Sequence, residues 1–258
     1  MTVTISFANQ KGGVGKTTSS VTLAHGLARM GQRVLLVDLD GQGHVAKSLG
    51  FEKENGLYRL LFNGEALESV RKTAREGLEV ILGDKTTDQV EAQLKKEKNG
   101  LNTFVKFARQ LPKVDVLIFD TPPSLSLLQA AAITAADVLV VPVVMEALAV
   151  DGLKELMRSL AQLRKNHQQA ARFGTFILPT MFERTTSLPV QTLRELAETY
   201  GRQVWPPIPK DARLREASAA GQTIWEYAPR CPAVRYMMNR HLVGGYHVIV
   251  ERLMEILT

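Results

Sequence analysis

Short apolar runs alternate with amphipathic stretches along most of this chain. The runs predict buried strands over residues 3–8, 33–37, 78–82, 114–119, 138–142 and 175–179. Apolar positions at helical spacing lie between them and predict helices, one beginning at residue 17 and others over 57–62, 151–166 and 188–200. Strands that alternate with helices form parallel sheets that are covered on both faces. The pattern therefore predicts an α/β protein with a doubly wound, mostly parallel sheet.

The composition is typical of a globular protein, with 45% hydrophobic and 22% charged residues in a chain of 258. A chain of this length can bury a large core, and we expect one domain over residues 1–258. No apolar run approaches the ~20 residues that span a bilayer, and the first strand has no basic flank of a signal peptide. We therefore expect a cytoplasmic protein. The single cysteine, Cys231, excludes an internal disulfide framework.

Positive charge is in excess, with a formal net charge of +6 and an isoelectric point near 9.5. This charge suggests a polyanionic partner, although a mildly basic enzyme is the simpler interpretation. After residue 201 the sequence holds eight Lys or Arg against five Asp or Glu. A solvated helix surface explains an excess of this size equally well, so charge alone does not separate the two interpretations.

A glycine-rich segment follows the first predicted strand, where residues 9–18 are Asn-Gln-Lys-Gly-Gly-Val-Gly-Lys-Thr-Thr. Glycine allows backbone dihedrals that are closed to other residues, which brings N–H groups close to phosphate oxygens. A helix beginning here offers its positive dipole end to a phosphate, Lys16 can reach the β- and γ-phosphates, and the Thr17 hydroxyl can bind Mg²⁺. The alternative is a glycine-rich turn with incidental lysines. The segment predicts a nucleotide site formed by Lys11, Gly12, Gly13, Val14, Gly15, Lys16, Thr17 and Thr18.

Aspartates end two of the predicted strands. Asp38 and Asp40 follow the second strand, and Asp120 follows the strand over 114–119. Ligands of open α/β sheets bind at this carboxyl edge. A carboxylate after the second strand can orient an attacking water, and Asp120 would hold Mg²⁺ through a water molecule. An ordinary strand-end aspartate is the alternative, and it suits Asp38 better than Asp40.

The sequence Lys-Gly-Gly-Val-Gly-Lys-Thr over 11–17 resembles the deviant Walker A motif of the ParA/MinD family of P-loop NTPases. The resemblance implies that Lys11 is the signature lysine, which touches the nucleotide of a neighbouring subunit. Residues 38–42, Asp-Leu-Asp-Gly-Gln, resemble the family pattern Asp-x-Asp-Pro-Gln, so Asp40 matches the residue that positions the water and assists Mg²⁺. Gly41 replaces the usual proline, which predicts a more mobile loop.

Residues 208–217 resemble the family element whose first residues wall the adenine pocket. By position alone, the resemblance implies adenine contacts from Met181, Pro209, Lys210 and Asp211. It also implies that Lys11, Lys16 and Asp40 are the catalytic residues of an ATPase that is slow without a partner, and that Thr17, Asp40 and Asp120 serve Mg²⁺. The four ordered elements of the resemblance cover nearly the whole chain.

The function implied by the resemblance is an ATP-switched homodimer of the partition or cargo-positioning type. The ATP-bound dimer would bind nonspecific duplex DNA at the nucleoid, and an adaptor or centromere-binding type of protein would stimulate hydrolysis. The candidate cations for DNA are Arg213, Arg215, Arg235 and Arg240. The sequence does not identify the cargo.

Three other functions use related scaffolds. A MinD-like membrane switch needs a terminal amphipathic helix with a lysine-rich face, but residues 248–257 offer only Arg252 against Glu251 and Glu255, and their apolar stripe is more typical of core packing. A nitrogenase-iron-protein-like reductase needs a pair of cysteine ligands in each subunit, which Cys231 alone cannot supply. The sequence does not exclude the third function, a metabolic ATP-dependent enzyme on the same scaffold.

Overall fold

A seven-stranded sheet runs through the centre of the structure, a computed structural model that describes residues 1–111, 114–124, 126–146, 149–167 and 174–257. The strands are β1 (Val3–Phe7), β2 (Val34–Asp38), β3 (Lys72–Arg75), β4 (Leu78–Ile81), β5 (Val116–Asp120), β6 (Val138–Val144) and β7 (Gly174–Thr180). Their order across the sheet is β3-β4-β2-β5-β1-β6-β7, and every neighbouring pair is parallel except β3 and β4. The prediction of a mostly parallel α/β sheet is confirmed.

Helices cover both faces of this sheet because the central strands are apolar on both. Val34 and Leu36 of β2 belong to one hydrophobic cluster, whereas Leu35 and Val37 belong to a second cluster on the opposite face. The helices are α1 (Lys16–Arg29), α2 (His44–Leu49), α3 (Gly56–Phe62), α4 (Leu67–Val70), α5 (Thr86–Lys96), α6 (Gly100–Gln110), α7 (Leu127–Ala135), α8 (Ala149–His167), α9 (Ser187–Tyr200), α10 (Arg213–Ala219), α11 (Ile224–Tyr227) and α12 (Tyr246–Leu257). The first cluster includes α1 and α12, and the second includes α5, α6 and α7.

The strand β3, an antiparallel edge strand, does not appear in the sequence pattern. Its residues Lys-Thr-Ala-Arg include a single buried apolar side chain, that of Ala74. The charged side chains of Lys72 and Arg75 lie at its two ends, and Arg75 Nε donates to the Glu226 carboxylate over 2.5 Å. A mixed polar sequence of four residues carries too little periodicity to predict a strand.

The opposite edge of the sheet, formed by β7, is covered by another segment of the chain. The Trp205 N–H donates to the Ile177 carbonyl over 2.9 Å, and the Ile208 N–H donates to the Pro179 carbonyl over 2.8 Å. The segment that follows α9 therefore takes up hydrogen-bonding groups that β7 would otherwise leave free at the margin.

The helix α12 packs into the core. Ile249, Val250 and Leu253 are buried against α1, and a Cβ added to Gly26 of α1 would lie 2.6 Å from Val250 Cγ2. Only glycine allows the two helices to approach this closely. The interpretation of the terminal stripe as core packing is thus confirmed. Of the helices in the described residues, none combines the length and the apolar content that crossing a membrane requires.

A buried histidine joins α1 to the segment before α11. His25 is 7% exposed, and its Nδ1 lies 2.6 Å from the Thr223 hydroxyl, which also donates to the Glu226 carboxylate. Burial lowers the pKa of His25 to about 4, although the charge of Glu226 opposes this shift. The folded protein therefore holds this ring neutral near pH 7.

Acidification is expected to destabilise the fold through this residue. The pKa of histidine in the unfolded chain is about 6.5, so the unfolded state takes up this proton before the folded state does. The free energy of unfolding therefore does not depend on His25 well above pH 6.5, and it decreases as the pH falls from 6.5 towards 4. Between about pH 7.5 and pH 5 the loss from His25 alone should be about 2 kcal/mol. Urea unfolding of the wild type and of His25→Gln at both pH values checks this, because the variant should lose correspondingly less. An equal loss in the two proteins would contradict the assignment.

Candidate functional site

The glycine-rich loop after β1 lies at the carboxyl edge of the sheet and leads directly into α1. Gly13 and Gly15 have φ of +73° and +90°, values at which a side chain would strain the backbone. No side chain caps the first turn of α1, and a Cβ at Gly12 or Gly13 would meet no atom within 4 Å. The loop is therefore an open concave surface beside the positive end of a helix, which is a site suited to a phosphate.

Hydroxyl and amide side chains at the ends of three strands hold this loop in place. The Thr180 hydroxyl donates to the Val14 carbonyl over 2.9 Å, and the Thr121 hydroxyl donates to the Phe7 carbonyl over 2.5 Å. Asn9 Nδ2 donates to a carbonyl of β6 over 2.8 Å. Neither Thr180 nor Thr121 was predicted from the sequence, although both stand at the same carboxyl edge as the aspartates.

Lys16, the first residue of α1, is 7% exposed. Its Nζ donates to the Lys11 carbonyl over 3.2 Å. Burial lowers the pKa of Lys16, and the carboxylates of Asp120 and Asp40 oppose this shift by favouring the charged form. A desolvated ammonium group with anionic neighbours is thus placed at the start of α1, beside the glycine-rich loop.

Asp120 lies beside the start of α1, as predicted. The Thr17 hydroxyl donates to Asp120 Oδ2 over 2.7 Å, whereas Oδ1 is fully buried and has no hydrogen-bond partner among the described residues. Burial, reinforced by the charge of Asp40, raises the pKa of Asp120 to about 7, although the hydrogen bond from Thr17 acts in the opposite direction. One oxygen of this buried carboxyl group is therefore left without a donor from the described residues, although the charge of Lys16 lies close enough to favour its ionised form.

Asp38 organises the loop that carries Asp40. It is fully buried opposite Asp120 in the register of β2 and β5, and it accepts the N–H groups of Asp40 (3.0 Å) and Val45 (3.3 Å). Burial raises the pKa of Asp38 strongly, and the nearby charge of Asp120 adds to this effect. Asp38 is therefore more than a strand-end residue, because its carboxyl group fixes the start of the loop.

The loop after β2 keeps Asp40 at the same edge. Asp40 is 8% exposed, and its Oδ1 accepts the Gln42 N–H over 2.9 Å. A Cβ at the buried Gly41 would lie 2.6 Å from Asp88 Oδ1 of α5, so the close approach of that carboxylate accounts for a glycine here. The greater mobility expected of this loop stays a prediction.

These residues fit a magnesium ion. Mg²⁺ is usually held by one or two carboxylates, by water and by substrate phosphates. The unpartnered oxygen of Asp120, the Thr17 hydroxyl and the nearby Asp40 offer hard oxygen donors beside the glycine-rich loop. The residues predicted for the metal are therefore brought together by the fold.

Lys11 takes a different direction from Lys16. Its side chain is 61% exposed, and its ammonium group forms an ion pair with Glu146, which follows β6. The Lys11 N–H donates to Asn9 Oδ1 over 3.0 Å. The ammonium group of Lys11 is therefore directed to Glu146 and away from the group at Lys16. Glu146 was not predicted from the sequence, and its position after a strand is the signal that could have found it.

A cavity of about 210 Å³ adjoins the phosphate loop on its other side. It brings the loop residues together with all four residues predicted to contact adenine, and its lining includes Gly15, Thr18, Met181, Pro209, Lys210 and Asp211. The walls are joined by backbone hydrogen bonds, since the Phe182 N–H donates to the Ile208 carbonyl over 3.0 Å. The side chains of Lys210 and Asp211 pair with Glu183 and Arg213.

The four candidate arginines differ in their surroundings. Arg213 donates to both carboxylate oxygens of Asp211, over 2.8 and 3.0 Å. This hydrogen bonding raises the pKa of Arg213 and holds its guanidinium group against Asp211, which lines the cavity. Arg215, Arg235 and Arg240 are exposed, and within the described part of the chain none of them forms an ion pair. Arg213 is thus the one of the four that is paired with a carboxylate, and Arg215 is the one that lines the cavity itself.

The chain is similar to known proteins in both sequence and fold. The sequence model of the AAA domain family matches residues 2–173. The chromosome-partitioning ATPase Soj of Thermus thermophilus is 41% identical over 229 residues, which are 88% of this chain and 89% of that protein. The sporulation initiation inhibitor protein Soj of Bacillus subtilis is 37% identical over 88% of this chain and 91% of its own. Among solved structures, cobyrinic acid a,c-diamide synthase of Mycobacterium smegmatis with ADP and magnesium is similar at a TM-score of 0.72 and 28% identity, covering 89% of this chain and 97% of that one.

Proposed function

The chain belongs to the ParA/Soj family of chromosome-partitioning ATPases, and from this premise we propose that it is an ATP-switched homodimer that binds nonspecific duplex DNA while ATP is bound. The observation that carries the proposal is the convergence of buried Lys16 and the unpartnered oxygen of Asp120 at one end of α1. Together these groups match a triphosphate and its metal ion, while the adjoining cavity matches a base. DNA segregation is the proposed use of the switch.

Each part of the nucleotide has a proposed place in the site. The N–H groups of the glycine-rich loop and Lys16 bind the phosphates, and the cavity beside Thr18 and Pro209 holds adenine. Thr17 and Asp120 hold Mg²⁺, which neutralises phosphate charge when it is bound. The synthase from Mycobacterium smegmatis, of the same fold, holds ADP and magnesium.

In the proposed hydrolysis step, Asp40 orients the attacking water, and its position is fixed by the hydrogen bonds that Asp38 accepts. Lys11 acts on the nucleotide of the second subunit. Its exposed side chain, which pairs with Glu146 and not with a group beside Lys16, supports a role between subunits. A partner protein accelerates this step, and turnover is slow without it.

We propose that the DNA surface is formed by Arg215, Arg235 and Arg240, because these cations are exposed and free of ion pairs within the described residues. A monomer with three such cations gains little from phosphate contacts at physiological salt. A dimer doubles the contacts on one rigid body, and each neutralised phosphate adds about −0.9 to the slope of log K against log salt. This additivity makes DNA binding depend on ATP and places the ATP-bound protein at the nucleoid.

The test is a titration of random-sequence duplex with ATP and with ADP at several salt concentrations. We expect tight, salt-sensitive binding with ATP alone, and Arg235→Ala, at an exposed cation outside the cavity, should flatten the slope by about 0.9 for each phosphate that is no longer neutralised. Arg213→Ala should instead weaken nucleotide binding, because it frees Asp211 in the cavity wall. Arg194→Ala, an exposed site on α9, serves as the matched control. Equal binding with ATP and ADP would contradict the switch.

A further inference from the structure

A small hairpin stands apart from the main sheet. Its strands are β8 (Tyr236–Met238) and β9 (His241–Gly244), which pair with each other in an antiparallel ladder. Met237 lies directly opposite Leu242, and the two side chains are 51% and 37% exposed. Cross-strand neighbours share one face of a ladder. The hairpin therefore presents an apolar pair to its surroundings.

Arg240 occupies a position in the turn of this hairpin where glycine is usually favoured. Asn239 and Arg240 connect the strands with φ of +48° and +66°, the backbone of a type I′ turn. The second position of that turn prefers glycine, since other side chains rarely adopt the left-handed region. Strain of this kind persists where the side chain has another use. Arg240 is thereby fixed at the tip.

The chain segment that contains the hairpin carries formal charge of one sign only, disregarding histidine. The sequence contains no Asp or Glu between Glu226 and Glu251, whereas it contains Arg230, Arg235 and Arg240 in that interval. Arg235 and Arg240 are both exposed. A surface with exposed cations beside an apolar pair is complementary to an anionic partner that also offers apolar surface.

The root of the hairpin is tied to the proposed nucleotide cavity. The Ala233 N–H donates to Asp211 Oδ2 over 3.3 Å, and this carboxylate also binds Arg213. At the other end, the hydroxyl of Tyr246 lies 2.9 Å from the Ser19 hydroxyl of α1. Both ends are thus anchored to residues that surround or adjoin the cavity, and the hairpin has a fixed position relative to it.

We propose that this hairpin enters a groove of duplex DNA, with Arg240 binding a phosphate and the Met237–Leu242 pair contacting sugars and base edges. The major groove is wide enough for a two-stranded ribbon, and apolar side chains of DNA-binding proteins contact or wedge against bases. The inference rests on the proposed function, since it assigns the DNA contact. An anionic membrane is less well matched, because binding to lipid scales with buried apolar area and the exposed pair offers little.

Two variants separate the two kinds of contact. Arg240→Gly removes the cation and supplies the residue that the turn prefers, so the melting temperature should be equal or higher while the salt slope flattens by about 0.9 for each phosphate that is no longer neutralised. Met237→Thr with Leu242→Thr keeps strand propensity and removes the apolar pair. This double variant should bind random duplex several-fold more weakly with an unchanged salt slope.

The controls are Arg194→Gln and Leu188→Thr, an exposed cation and an exposed apolar residue of α9. Each protein is first checked for ATP-dependent dimerisation. If the wild type binds duplex with ATP and both hairpin variants bind identically, the hairpin inference fails while the proposed function stands. If the wild type binds no duplex in either nucleotide state, the proposed function fails and the inference with it. If the double variant binds duplex DNA as the wild type does but no longer binds phosphatidylglycerol vesicles, the hairpin contacts a membrane and the inference is overturned.

Discussion

Replacing Lys16 with alanine is expected to abolish detectable ATP binding. Lys16 is the buried cation of the site, and the neighbouring groups Asp40 and Asp120 are carboxylates. Without the lysine these carboxylates would face the phosphates uncompensated. A hydrogen bond to a charged group is worth up to ~3 kcal/mol, so the loss alone weakens binding about a hundredfold, and carboxylate repulsion adds to it.

Calorimetric titration with Mg-ATP measures this effect directly. A ligand that binds only the folded state raises the melting temperature, so the wild type should be stabilised by ATP and Lys16→Ala should not. Without nucleotide, the variant should melt at the same temperature or higher, because a desolvated cation has been removed. Lys106→Ala, at an exposed lysine of α6, is the matched control. Tight ATP binding by Lys16→Ala would refute the assignment of the phosphate site.

Lys11→Ala is expected to keep ATP binding within a few-fold of the wild type and to lower turnover by ~10³ or more, the effect of removing a cation supplied in trans. The structure explains why ATP binding should be nearly unchanged. The Lys11 side chain is exposed and pairs with Glu146, so its removal leaves the phosphate loop of its own subunit unchanged. The second half rests on the proposed dimer.

Steady-state phosphate release at saturating ATP checks this result, with and without duplex DNA. Lys154→Ala is the control, since Lys154 is a partly exposed lysine of α8 that pairs with Asp151. If Lys11→Ala turns over ATP at the wild-type rate, Lys11 has no role in catalysis and the comparison with a signature lysine is wrong.

The central fold could be predicted because its signals are local. The six strands that pair in parallel are apolar runs, and the glycines after β1 mark a turn that other residues cannot make. The strand β3 could not be predicted, because its neighbour β4 stabilises it and its own sequence does not. The hairpin of β8 and β9 was not predicted for a related reason. Strands of three and four residues are too short to show a clear alternation of apolar and polar positions.

The sequence predicted those site residues that directly follow a strand. Asp40 and Asp120 were found because carboxylates at the carboxyl edge are expected to meet, and the fold brings them together with Lys16. The loop-holding role of Asp38 and the pairing of Lys11 with Glu146 depend on which backbone groups and side chains face each other after folding. Such contacts join residues far apart in the chain or buried beneath the surface, and no sequence spacing encodes them.

The two covered edges of the main sheet limit how copies of this protein can associate. An open edge strand would let one molecule extend its sheet into the next, which leads to growing and poorly reversible aggregates. Here β3 bears Lys72 and Arg75 at one margin, and Trp205 and Ile208 occupy the backbone of β7 at the other. In the proposed homodimer, the subunits would instead pair through loops and side chains at the carboxyl edge, so that the assembly would dissolve when its ligand is consumed.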